Sequence, residues 1–392
     1  MLKINRIRDF NDFLRLAIMF LLILSTGGII LFFESHNFVE YLIVIFSLIL
    51  IGRRNINFKS KVIAPLLLWW FILIFFSFIV GTGLGSIMGV LFRTFMAFLV
   101  IVAFEYDASK MKSYFIDALV VFAYLGVVNF ILANFFSSLF QWKQTESFSG
   151  AYTIGYIFNY VPAPAVPFNR NQCVFWEPGL YQMFMNILVF EILIEKKETL
   201  KAAIIPILLV VSTTSTTGLF ILALLVSFNL FRGGKKKISL SNVIVVLVFA
   251  SLFIPFLLEN AEQKTSGELQ GSSALRLYDF LMGFDVTINH PFFGIGFGKD
   301  SYVDLAKYLN IDLYSDYDFK VGERGNTNGL MAVFMKMGIP MGLYYFKLLY
   351  YQSLFSSKKI FFILMVLAMS SEPVFSLGLL FFIPFTSYIT KK

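Results

Sequence analysis

The chain has one cysteine, Cys173, and two histidines in 392 residues. A lone cysteine cannot close an intramolecular disulfide, which excludes a disulfide scaffold. His36 and His290 stand more than 250 positions apart, and the only D-x-D pattern in the long loops is Asp316-Tyr317-Asp318. Metal-ligand spacing is therefore absent, and no Ser-His-Asp context for a nucleophile is visible. Charge is also scarce: 14% of residues are charged, against about 25% in a soluble globular protein. That excludes a soluble multidomain enzyme and a disordered chain. No internal repeat or low-complexity tract is present.

What is abundant is apolar sequence. Hydrophobic residues make up 58% of the chain, about 227 residues, enough for eleven or twelve membrane-spanning helices at about 20 residues each. Lys3, Arg6, Arg8 and Arg15 precede an apolar run over 16–33. This run is too long for a cleaved leader and lacks a small-x-small site, so it reads as an uncleaved first span. Further runs cover about 39–51, 62–80, 87–104, 114–140, 179–194, 202–231, 239–257, 328–355 and 360–389.

Charge decides the longest runs. Lys196, Lys197 and Lys201 precede 202–231, and Arg232, Lys235, Lys236 and Lys237 follow it. Basic clusters favour the cytoplasmic side, so this run goes out and back, turning at Ser212–Gly218. Lys358 and Lys359 before 360–389, and Lys391 and Lys392 after it, imply a second hairpin turning at Ser370-Ser371-Glu372-Pro373. The run 114–140 is one long tilted helix, since doubling back would put the basic 195–201 loop outside.

The expectation is an all-α polytopic membrane protein of about twelve transmembrane helices with both chain ends cytoplasmic. It forms a single transmembrane domain over 1–392, with two large external loops at 141–178 and 258–327. Of the 32 Lys and Arg, 21 fall in cytoplasmic segments, 8 in external ones, and Arg93, Lys336 and Lys347 within apolar runs. The net charge of +8 is thus mostly a topology signal, and nucleic acid is excluded as a partner. Loops of this length usually carry function.

The candidate site residues lie on the external side. The first loop closes with Arg170-Asn171-Gln172-Cys173-Val174-Phe175-Trp176-Glu177-Pro178-Gly179. Arginine offers a planar fork of donors for phosphate or carboxylate oxygens. Glu177 before Pro-Gly is a base candidate, or simply an acid capping the next helix with Arg170 as ion-pair partner. In the second loop Arg276 stands near the start of an amphipathic helix. His290-Pro291-Phe292-Phe293-Gly294-Ile295-Gly296-Phe297-Gly298 follows, with glycines that permit close approach of a ligand. His290 is either a proton-transfer group or a helix-terminating residue. Arg324 and Asn328 stand where the chain re-enters the membrane. Arg93 lies about 10 Å below the external face, costly unless functional or snorkelling, and Glu372 is the counter-ion the sequence suggests for it. Convergence of Arg93, Arg170, Arg276 and Arg324 would suit a metal-free polyanion site such as a pyrophosphate.

At these residues the chain resembles the superfamily of O-antigen and capsule polysaccharide polymerases (Wzy) and O-antigen ligases (WaaL). The stretch Arg170–Gly179 looks like that family's R-x-x-x-x-F-x-E/N-P motif. Ser212–Gly218 resembles its Ser/Thr-Gly turn, and Arg276 with His290-Pro291-x-x-Gly294-x-Gly296 its second-loop signature. Where ligases carry a His-Asn pair before the glycine matched by Gly338, this chain has Thr327-Asn328, which favours a polymerase. The resemblance implies a GT-C-like, metal-independent, inverting glycosyltransferase without cofactor in the bacterial cytoplasmic (inner) membrane. Its donor and acceptor would be polyprenyl-pyrophosphate-linked glycans among membrane lipids, with a chain-length regulator protein as a further partner. Arg170 and Arg276, supported by Arg93 and Arg324, would hold pyrophosphate. Glu177 or His290 would be the base, and Asn328 and Glu372 would support the site. An O-antigen ligase and a lipid-linked oligosaccharide flippase are the alternatives. A flippase would favour ionisable groups near the midplane and internal repeats.

Overall fold

A computed structural model describes residues 7–29, 36–56, 58–142, 152–162, 168–231, 270–297, 328–372, 374–375 and 377–389. The helices, in chain order, are α1 (Phe10–Leu24), α2 (His36–Arg54), α3 (Ser60–Val80), α4 (Leu84–Ala103), α5 (Ala108–Phe135), α6 (Pro178–Phe190), α7 (Ile204–Ser212), α8 (Thr216–Phe231), α9 (Gln270–Asn289), α10 (Gly329–Tyr350), α11 (Lys358–Met369) and α12 (Gly378–Phe385). The span expected at 239–257 lies outside the described residues, as does most of the second external loop. Among the described residues, Val62–Val80, Gly85–Ala103, Ala108–Phe135 and Gly329–Tyr350 are long and apolar enough to cross a membrane. On α3, Leu67, Leu68, Phe71, Ile74, Phe75 and Phe78 are all at least 45% exposed. A continuous apolar face of this kind is untenable in water and suits a hydrocarbon surround.

The long runs divide as their charges require. The run 202–231 is a hairpin of α7 and α8, turning at 213–215. The run 360–389 turns between α11 and α12. The run 114–140 is, as far as Phe135, one helix and ends in a 3-10 turn at Ser137–Leu139. That helix, the 28-residue α5, is about 42 Å long at 1.5 Å per residue. This exceeds a hydrocarbon core of about 30 Å.

The all-α expectation needs one correction. The first external loop folds into an antiparallel meander of β1 (Gln141–Trp142), β2 (Tyr152–Ile154), β3 (Phe158–Val161) and β4 (Arg170–Cys173). Aromatic cross-strand packing holds it: the rings of Tyr152 and Tyr160 stack at 5.1 Å, and Phe140 meets Tyr160 edge-on at 4.9 Å. The β2–β3 connection uses Gly155 (φ 57°) and Tyr156 (φ 59°), two successive left-handed residues that reverse the chain.

The chain divides into two compact units, Met1–Val39 with Lys112–Ser273, and Glu40–Met111 with Ala274–Lys392. In the first unit α6 packs against α7, α8 and β4, and every residue of α6 is buried. The helix continues through a π-helical turn at Glu191–Glu195. Lys112 Nζ reaches Glu191 at 2.8 Å and Glu195 at 2.9 Å. In the second unit α4 packs against α3 and α12, and α10 against α11 and α12.

The second unit departs from the sequence in α10, which is broken at Gly338 (φ 70°, ψ 173°). The turn after α9 docks into the break. Ile295 N–H donates to the Met335 carbonyl (2.8 Å) and Ile339 N–H to the Pro291 carbonyl (2.7 Å).

Within each unit, loops at the same end of the helices meet among the described residues. The 168–177 segment meets the 212–218 turn. Gly329 N–H donates to the Glu372 carbonyl. At the opposite ends of the helices, Lys59 N–H donates to the Tyr106 hydroxyl.

Candidate functional site

The best-defined polar arrangement of the first unit is built where β4, the 213–215 turn and α5 meet. Arg170 opens β4, half-buried, and its Nε donates to the Thr213 carbonyl at 3.2 Å. Asn171 is fully buried. Its Nδ2 donates to the Gly126 carbonyl (2.9 Å) and Ser212 Oγ (3.1 Å), while its Oδ1 accepts from Cys173 N–H (2.9 Å) and Asn129 Nδ2 (2.7 Å). One amide thus ties the strand, the long helix and the hairpin turn together. Removing it orphans several buried groups at once, each costing about 1–3 kcal/mol. Asn171→Ala is expected to destabilise the protein by about 2–3 kcal/mol. Thermal unfolding in detergent checks this, and an unchanged melting temperature would refute the role as tie.

The turn itself is rigid. Ser212 Oγ donates to the Leu209 carbonyl and Thr213 Oγ1 to that of Val210. Ser215 Oγ accepts from Gly218 N–H (3.3 Å) at the start of α8, an N-cap arrangement. Gly218 is glycine for a packing reason, since a Cβ there would lie 2.8 Å from Gln182 Oε1. Asn186 Nδ2 donates to Gln182 Oε1 (2.9 Å) and the Gly218 carbonyl (3.1 Å). The two short sequences singled out in this unit, Arg170–Gly179 and Ser212–Gly218, are therefore in direct contact.

Glu177 stands at the N-cap of α6 with Pro178 in the first turn, as the sequence suggests. Its side chain makes no capping hydrogen bond, so the helix end does not occupy the carboxylate in that way. Trp176 N–H donates to the Gly27 carbonyl, anchoring this segment to the turn after α1. Cys173 is buried.

In the second unit Arg93 finds its carboxylate on Glu40, Nε to Oε1 at 2.7 Å, where the sequence alone points to Glu372. Glu40 is 3% exposed, so the pair is largely withdrawn from solvent. Arg276 is half-buried on α9. His290, also half-buried, ends that helix, its N–H donating to the Val286 carbonyl and its carbonyl accepting from Gly294 N–H. The glycines after it serve the broken helix. A Cβ on Gly294 would lie 2.3 Å from the Met335 carbonyl oxygen, and one on Gly296 would lie 2.6 Å from Thr82 Oγ1. The close approach read from the sequence as made for a ligand is made at Gly294 to the protein's own backbone and at Gly296 to the Thr82 side chain. Asn328 caps α10, its side chain accepting from Met331 N–H at 3.0 Å. Glu372 is fully buried, and Ser371 Oγ donates to its Oε1 at 3.4 Å. Arg324 lies outside the described residues. Among the described residues no three His, Cys, Asp or Glu side chains gather to hold a metal ion.

Sequence reasoning missed Glu40 and gave no role to Lys336 or the buried amides. Lys336 is 9% exposed, its Nζ 6.0 Å from the Phe297 ring centre, two residues before the break in α10. A signal for each existed, because Glu40, Asn129, Gln182, Asn186 and Lys336 all interrupt apolar runs, where a polar side chain needs a partner.

Arg170, Glu177 and the Ser/Thr turn thus belong to the first unit, and Arg93, Arg276, His290, Asn328 and Glu372 to the second. Comparison with curated proteins finds no match. A family model described as O-antigen ligase matches residues 202–346, from the hairpin of α7 and α8 through α9 and the His290 turn into α10. Its apolar helices mark the chain as a membrane protein, and over residues 202–346 it is similar to the O-antigen ligase family.

Proposed function

We propose that this chain is a metal-independent, inverting glycosyltransferase that polymerises polyprenyl-pyrophosphate-linked repeat units into O-antigen or capsular polysaccharide. The work would take place on the outer face of a bacterial cytoplasmic membrane, in a layout of about twelve spans with both chain ends inside. The observation that carries the reading is the seating of Arg170 against the Ser/Thr turn that opens the family-matched region.

In this reaction the bond from the donor's anomeric carbon to the pyrophosphate oxygen breaks, and the leaving group takes the electron pair. Guanidinium groups already in place stabilise that growing charge without reorganisation, a role assigned to Arg170 and Arg276, with Arg93 and Arg324 in support. The acceptor hydroxyl attacks from the opposite face and gives its proton to Glu177 or His290. Both glycans ride on lipids, so the membrane itself supplies proximity. A chain-length regulator would act as a separate partner.

Polymerase is preferred because Thr327-Asn328 stands where ligases carry His-Asn, and Asn328 here caps a helix. The ligase reading is favoured by the description of the matched family. Two experiments divide them. Cells lacking a polymerase display a single repeat unit on their glycan acceptor. Cells lacking a ligase display none and accumulate lipid-linked polymer. Purified protein given lipid-linked repeats is expected to make a ladder in the presence of chelator. A ladder that forms only after a divalent cation is added would overturn the metal-independent mechanism.

A further inference from the structure

At the ends of α2 and α4 the chain forms a cavity of about 290 Å³, lined by Arg54, Ile56, Lys59, Glu105 and Tyr106. This is near the small end of ligand-pocket volumes, about 300–1,000 Å³. Its walls are the connections from α2 to α3 and from α4 to α5, so it sits at the level where helices of the second unit leave the apolar layer. Lys59 Nζ rests 4.6 Å from the centre of the Tyr106 ring, and Lys59 N–H donates to the Tyr106 hydroxyl at 2.8 Å. Glu105 holds the other cations in place, 3.5 Å from Arg54 and 3.2 Å from Lys110. Arg54, Lys59 and Lys110 are three cations against two carboxylates, Glu105 and Asp107, and the local charge is positive.

We propose that this cavity binds the phosphodiester headgroup of an anionic phospholipid. Basic pockets between membrane helices at the headgroup level have the charge and depth for such a ligand. A lipid is favoured over a free phosphate by exposed apolar residues on either side of Lys59. Phe58 beside it is 50% exposed, and the open face of α3 begins at Leu67, eight residues beyond Lys59. The headgroup phosphate meets Arg54 and Lys59, and the acyl chains have apolar surface to lie against. The site is independent of the glycosyltransferase reading.

The test is native mass spectrometry of the detergent-purified full chain, titrated with phosphatidylglycerol or phosphatidylcholine. Phosphatidylglycerol is expected to bind at least about tenfold tighter, a difference that Arg54→Gln/Lys59→Gln removes. Lys201→Gln/Lys359→Gln, which removes the same charge from other loops, is expected to retain it. Should the double variant fail to fold, Lys59→Gln alone carries the same expectation, because its main-chain bond to Tyr106 survives. Unchanged preference in the cavity variant, or equal loss in the control, overturns the proposal. So does displacement of the lipid by inorganic phosphate as readily as by phosphatidylglycerol, which marks a site for free anions.

Discussion

Replacing Arg170 with alanine is expected to abolish polymer ladders while leaving the amount of folded protein close to that of the parent. The two effects separate because they differ in size. Structurally, the substitution removes the bond from Nε to the Thr213 carbonyl, a contribution of about 0.5–1.5 kcal/mol. On the proposed mechanism, it also removes a positive group preplaced for the developing pyrophosphate charge, worth about 10²–10³ in rate for a single donor in comparable sites. Arg170→Lys keeps the charge and loses the planar fork, so it is expected to restore little. Arg276→Ala is expected to behave like Arg170→Ala. Ladders of full length from both alanine variants, on gels of glycan from cells with matched protein levels, would sink the pyrophosphate site.

Gly338→Ala is expected to cost at least about 4 kcal/mol, in the range reserved for exceptional substitutions. A side chain there adopts φ 70°, which costs roughly 1–2 kcal/mol for an L-residue. It also places Cβ 2.5 Å from the carbonyl carbon and oxygen of Phe292. Those are main-chain atoms held by the two hydrogen bonds across the break, so they cannot step aside without opening it. Gly89→Ala is the control: it lies within α4 with nothing within 4 Å of the new Cβ. It is expected to be neutral or to stabilise by about 0.5–1 kcal/mol. Thermal unfolding of both in one detergent decides the matter. A Gly338→Ala protein that melts with the parent would mean that the docked turn does not lock the helix.

The membrane helices were legible wherever local rules act on local residues. Basic clusters on both flanks of 202–231 and 360–389 demand an even number of crossings, and the chain turns near Ser215 and Glu372 as that demands. The Pro178 start of α6 and the Asn328 cap of α10 follow from single positions. What was not legible depends on partners far along the chain. Glu40 and Arg93 are 53 residues apart, and no spacing rule links them. The strands of the first loop are two to four residues long, too short for alternation to stand out from the surrounding aromatics. Gly338 and Pro340 hint at a weak helix, but the break exists because a turn from 290–297 fills it. Asn171 reads as one polar residue in a loop until its partners on α5 and α7 are seen.

The amide tie at Asn171 also sets an order of assembly. Gly126 is made before it, but the carbonyl that holds Arg170 belongs to Thr213, 43 residues later in the chain. At translation rates of about 5–20 residues per second, that is an interval of roughly 2–9 s. During it the β1–β4 segment is complete while its arginine lacks the Thr213 carbonyl. On the proposed function, the newly made protein would remain catalytically silent until the α7–α8 hairpin has formed. A ribosome that stalls between these two points leaves a stub in which Arg170 lacks the Thr213 carbonyl that holds it.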